Sequence, residues 1–245
     1  MTNLPSTQVY SLNDVGIELR NTLINLSDIV INQLADKHVK AIINAFNNGI
    51  RINNNGAIYI AISYLHTLLR TEVGAANRMW QDGISSYVSG ADSHNINNDL
   101  YISGPDFIGL VDARIQLSYG KTKLYLQYIQ AAYYSLTSHP LINDIRTAYA
   151  HTIETMRSKL KKERIKHFFI RHCEFSGREF FNDREVEFAH IDSVSTSPST
   201  ALDINNGVII LREYHTELTR RHIHNREGMY NYCEENNFST EWARR

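Results

Sequence analysis

Residues Cys173–His222 read CEFSGREFFNDREVEFAHIDSVSTSPSTALDINNGVIILREYHTELTRRH, and this stretch decides the C-terminal fold. Val186–Ile191 is a strand-like run that ends in Ala-His-Ile. A polar loop carrying Pro198 follows and closes on Asn205-Asn206-Gly207, an Asn-Gly turn signal. A second apolar run, Val208–Leu211, leads into Arg212-Glu213-Tyr214-His215. His190, Asn206 and His215 therefore fall on a strand, a turn and the start of a helix. That is the order in which a compact ββα unit can hold one divalent metal against one catalytic imidazole.

Immediately before this stretch, helical spacing runs from Leu141 to about Ile170. Its second half carries seven basic residues, Arg157, Lys159, Lys161, Lys162, Arg164, Lys166 and Arg171, against the single acid Glu163. A charge run of this kind is ordinarily a solvated helix face. Next to the Cys173 unit it is also placed to track phosphates, through Lys159, Lys162 and Lys166.

Farther upstream, the apolar spacing over 9–49 predicts helix, with Asn47-Asn48-Gly49 as its C-cap. Ile50–Asn55 reads as loop, and Ala57–Val73 as a buried helix with competing strand propensity. The Ser-, Asn-, Asp- and Gly-rich segment 83–104 reads as a long loop, and Pro105 as a helix start. Gly120 and Ser138-His139-Pro140 punctuate the helical pattern that follows. The division expected is a mostly helical region over 1–150, a basic linker helix over 151–172, and a ββα unit over 173–245, which makes an α+β protein.

The net charge of −1 over 245 residues leaves no global basic footprint, so a nucleic-acid site must be local. The two cysteines, Cys173 and Cys233, stand outside any Cys-x-x-Cys pair, which excludes a disulfide scaffold or a four-cysteine zinc node. The first sixteen residues lack a basic segment followed by an apolar core, and no apolar run approaches the ~20 residues of a membrane span. The expectation is a cytoplasmic protein with no membrane contact.

Hydrolysis of a phosphodiester requires a base for water, positive charge at the leaving oxygen, and a scaffold that aligns both. A neutral imidazole suits the first task, which makes His190 the candidate base. A divalent cation suits the second, with His215 as candidate ligand. Asn206 is the amide placed to orient the base. Arg212, Arg220 and Arg221 flank these residues and have the fork geometry for a phosphate.

These elements resemble the HNH nucleases, in particular a subgroup that reads C-x-x-[ST]-G, then A-H-I, then N-G followed by an apolar run, then histidine. Here they stand as Cys173-Glu174-Phe175-Ser176-Gly177, Ala189-His190-Ile191, Asn206-Gly207-Val208-Ile209-Ile210-Leu211 and His215. The resemblance covers some fifty to sixty residues. It implies metal-dependent DNA cleavage, with His190 as general base, Asn206 as the orienting residue and His215 on the metal. Glu217 and Asp192 are the nearby carboxylates expected to join His215, with Glu187 and His222 as alternatives. The cofactor expected is one divalent ion, Mg or Mn, with Zn or Ni as alternatives.

The expected partner is DNA, with room for a regulatory or ATPase protein and for self-association, in a restriction or anti-phage setting. A second reading is a catalytically degenerate HNH-fold subunit for nucleic-acid binding or assembly. It draws on Ala189 and Thr219, which stand where members of the family often carry a further ligand. A third is a helical interaction protein, which requires that residues 173–222 form no hairpin.

Overall fold

The computed structural model describes residues 9–22, 24–197 and 200–244. Pro198 and the first eight residues, on which parts of the loop and leader readings fall, lie outside them. The chain divides into two compact units, Met1–Tyr149 and Ala150–Arg245, and mixes helix with sheet. Among the described residues no helix is long and apolar enough to cross a membrane.

In the first unit the elements run β1 (Val9–Tyr10), α1 (Asp28–Ile31), α2 (Asp36–Gly49), β2 (Ile50–Asn53), β3 (Ile58–Ala61), α3 (Leu65–Leu68) and α4 (Val73–Asp82). They continue with β4 (Gly83–Ile84), β5 (Val88–Ser89), β6 (Ser93–Ile96), β7 (Asp99–Ser103), α5 (Gly104–Leu117) and α6 (Gly120–Thr137). An antiparallel sheet of order β1-β2-β3-β7-β6 lies under the helices. Ile50, Ile52, Ile60 and Ile102 are fully buried in it, with Phe46 of α2, Phe107 of α5 and Ile129 of α6. Phe107 meets Phe46 and Tyr133 edge-on, with ring centres 6.1 and 5.4 Å apart.

Three sequence expectations change in this unit. Much of 9–35 is irregular: Leu12, Ile17 and Leu19 reach the core from turns, one of them at Gly16 with φ +71°. Helical spacing there recorded burial without a helix. Ile50–Asn53 pairs as a strand, because Ile50 and Ile52 alternate into the core. The polar segment 83–104 forms strands β4 to β7, and Asn97 and Asn98, both at positive φ, make the two-residue turn between β6 and β7. β6 is polar and exposed and leaves no apolar alternation to read, whereas β7 buries Tyr101 and Ile102.

Expected punctuation holds at three places. α2 ends on Gly49, α5 starts at Gly104-Pro105, and Gly120 opens α6. The Ser103 hydroxyl caps α5 by accepting from the Asp106 amide at 3.2 Å.

Helix α7 (Pro140–Phe168) begins in the first unit and continues into the second. The second unit then adds β8 (Val186–His190), β9 (Gly207–Leu211), α8 (Arg212–Arg220) and α9 (Arg226–Glu235). β8 and β9 pair antiparallel, from Val186 opposite Leu211 to His190 opposite Gly207. This hairpin contradicts a purely helical C-terminus. All five residues of β9 are buried, which explains its unbroken Gly-Val-Ile-Ile-Leu run. Phe175 stacks toward Tyr232, Phe238 and Trp242, while Cys173 and Cys233 are buried, unbonded thiols. Burial pushes the Cys233 thiol up to about 11, which suits packing rather than chemistry.

The unit's interior also holds charge. Arg164 is 1% exposed and grips Glu174 with two bonds, Nε to Oε2 at 2.9 Å and Nη2 to Oε1 at 2.7 Å. Its Nη1 donates to the Ile204 carbonyl at 2.6 Å, and Glu174 Oε2 accepts the Ile209 amide at 2.6 Å. One guanidinium thus ties α7 to Glu174, to strand β9 and to the loop between the strands. Lys161 is similarly internal in use, donating to the carbonyls of Asp183 and Val186.

Candidate active site

His190 is the last residue of β8, and its half-buried ring packs edge-on against Phe188 at 4.9 Å. The β8–β9 register sets Gly207 opposite His190, and a Cβ at Gly207 would overlap the Phe188 ring. Glycine at this turn therefore makes room for the wall of the site.

The Nε2 of His190 lies 2.9 Å from the Ala201 carbonyl. A carbonyl only accepts, so Nε2 carries the proton, and the neutral ring keeps its lone pair on Nδ1. Burial lowers the imidazole's pKa below its ordinary value; the Ala201 bond opposes this, and Arg157 and His215 add to it. The ring is thereby held neutral, in one tautomer, with one free basic nitrogen.

Asn206 does not touch this ring. Its Oδ1 accepts from the Asp192 amide at 2.9 Å, and its Nδ2 donates to the Asp192 carbonyl at 3.1 Å and to Thr200 Oγ1 at 2.9 Å. Its own carbonyl accepts from the Ile191 amide at 3.1 Å. Asn206, expected to orient the imidazole, can do so only indirectly: it staples the loop that carries Ala201, and Ala201 holds the His190 ring. The fully buried Arg164 anchors the same loop at Ile204.

His215 lies in the first turns of α8, with Nδ1 2.5 Å from Glu187 Oε2. The other Glu187 oxygen faces Arg212 Nε at 3.4 Å. A carboxylate accepts, so Nδ1 carries a proton, and Nε2 is the nitrogen left to face a ligand. A carboxylate orienting a histidine in this way is the usual second layer of a metal site. Glu187 was only an alternative in the sequence reading; it lies 28 residues from His215, and no local spacing signals the pair.

Other expected residues separate from this pair. Glu217 is two positions from His215, about 200° around the helix. Hydrogen bonds from Arg220 and Arg221, at 2.8 and 2.7 Å, hold its carboxyl down to about 2. Arg221 also reaches Glu235 at 3.1 Å, so the forks of both arginines are taken by carboxylates. Asp192 contributes its peptide group to the Asn206 staple. Among the described residues no three His, Cys, Asp or Glu side chains gather around a common point. The expected trio of His215, Glu217 and Asp192 is therefore not assembled.

The basic helix also sorts differently from its composition. At about 100° per residue, Lys159, Lys162 and Lys166 occupy the side of α7 roughly opposite Arg157, Lys161 and Arg164. Arg157 shares with Glu154, Ser158, Phe188 and His190 an open hollow of ≈ 350 Å³. Sequence reasoning assigned Arg157 only to a charge run; its i, i+3, i+4 face with Glu154 and Ser158 was the missed signal.

Compared with protein-family models, curated proteins and solved structures, the chain finds no match in any of the three.

Proposed function

We propose that the C-terminal unit is a metal-dependent endonuclease of the ββα-metal, HNH-like kind, acting on DNA. The observation that carries this reading is the state of His190. Its Nε2–H is fixed to a carbonyl, its Nδ1 is free, and its environment favours the neutral ring. Such a ring takes a proton from water at Nδ1 while the water oxygen bonds to phosphorus and the P–O bond to the sugar breaks. The Ala201 carbonyl steadies the imidazolium as it forms, since a protonated ring donates the same Nε2 bond more strongly.

The donor set at His215 fits a divalent ion. An oriented imidazole nitrogen beside a carboxylate supplies part of a shell that water and substrate oxygens complete, as such ions commonly accept. Bound there, the ion supplies positive charge for the developing negative charge on phosphate and leaving oxygen. The chain's own part is to orient His215 through Glu187 and to keep His190 neutral until water is present.

The test is nicking of supercoiled plasmid by the full chain with Mg, Mn, Ni or Zn, alongside His190→Ala checked for folding by circular dichroism. The reading expects cleavage by the parent and a loss of about 10²–10⁴-fold in the variant. The second reading, a degenerate binding subunit, has one observation in its favour: the described residues gather no three-ligand cage. DNA binding without cleavage under any of these ions establishes it instead.

A further inference from the structure

Several cations near the hairpin are already committed to partners. Arg164 serves Glu174 and Ile204, Lys161 serves two carbonyls, Arg212 faces Glu187, and Arg220 and Arg221 serve Glu217. Among the described residues Arg157 has no hydrogen bond or ion pair, and its side chain is exposed. It lines the hollow that contains His190, and its charge is felt at that ring.

We propose that Arg157 is the side chain that grips the scissile phosphodiester, so that the substrate backbone lies between α7 and β8 with phosphorus in reach of His190 Nδ1. This deepens, and rests on, the nuclease reading. The hollow has two walls: β8 gives Phe188 and the base, and α7 gives Glu154, Arg157 and Ser158. The Ser158 hydroxyl proton is spent on the Thr155 carbonyl at 3.1 Å, which leaves Arg157 as the donor. Glu154 lies about one helical turn earlier and repels an anion, confining phosphate to the Arg157 level. A planar guanidinium can give two parallel bonds to two phosphate oxygens, which fixes both position and orientation. Charge that grows on those oxygens during attack then meets a cation at the wall of the hollow. The exposed Lys159, Lys162 and Lys166 face elsewhere and contribute only diffuse attraction.

Two measurements on the full chain test this. In the first, a deoxydinucleotide, TpT, is titrated without metal while the His190 ring resonances are followed by NMR. The parent should shift, Arg157→Ala should not, and Arg157→Lys should shift weakly. An equal shift in Arg157→Ala, or none in the parent, overturns the assignment. In the second, plasmid nicking by Arg157→Ala should fall by about 10²-fold in kcat, with Arg157→Lys recovering part of the loss. Parental cleavage by Arg157→Ala also overturns it. If the parent cuts nothing with any metal yet the TpT shift still depends on Arg157, the phosphate site stands and the nuclease reading falls.

Discussion

The two units are built on opposite principles. The core of the first is a layer of isoleucines under aromatic and aliphatic helix faces, with Asn53 its only polar residue among the buried set. The second unit buries Arg164 and Asn206 outright, and both bind the loop between β8 and β9. Buried polar groups carry a desolvation cost that apolar packing avoids, and they are retained where one geometry must be enforced. The difference points to the second unit as the place where position matters, down to the proton on one ring nitrogen.

This contrast can be broken by substitution. His190→Ala removes the proposed base and should cost about 10²–10⁴-fold in cleavage rate, far more than the loss of its bond to Ala201 costs in stability, about 0.5–1.5 kcal/mol. Arg164→Met takes the guanidinium away from the buried Glu174 carboxylate and should cost about 3–5 kcal/mol in denaturant unfolding. By comparison, Leu126→Ala in the first unit should cost about 2–5 kcal/mol from lost packing, without moving the His190 resonances. If Leu126→Ala perturbs His190 as much as Arg164→Met does, the division of labour between the units is wrong.

Smaller effects sharpen the same comparison. Asn206→Ala removes four side-chain bonds to Asp192 and Thr200 and should destabilise by about 1–3 kcal/mol. Its cleavage defect should be milder than that of His190→Ala, because the amide acts on the loop and not on the ring. For pH, the sign follows from the lowered His190 pKa. The base is competent when neutral, so cleavage should rise with pH and level off with a midpoint below the ordinary imidazole value of ~6.5. Phe188→Ser wets the ring and should move that midpoint upward. Smallest of all, reversing Lys159, Lys162 and Lys166 should flatten the salt dependence of DNA binding while sparing cleavage at saturating substrate.

Local signals carried the hairpin. The Ala-His-Ile strand end and the position of His215 early in a helix depend on near neighbours in the chain, and the structure has both; Gly207 of the Asn-Gly signal opens β9, just after a turn over Asp203–Asn206. What failed depended on distance in space. Glu217 was chosen for lying near His215 in sequence, yet two residues along a helix place it on another face. Asn206 was expected to orient the imidazole, and only the fold shows that its amide binds Asp192 and Thr200, in the loop that supplies the Ala201 carbonyl to His190. Arg157 stood hidden in a run of seven cations, because only the fold tells which are spent on carbonyls and carboxylates. In the first unit, β4 and β5 span two residues each and β6 is polar and exposed, while the buried Tyr101 and Ile102 of β7 stood unread inside a polar segment.

The claim on which the rest turns is the tautomer of His190, and long-range ¹H–¹⁵N NMR of the ring reads it directly. At neutral pH the proton should reside on Nε2, with Nδ1 bare, and the ring should gain its second proton only below ~6.5. A proton on Nδ1, or a ring already charged at neutral pH, contradicts the account.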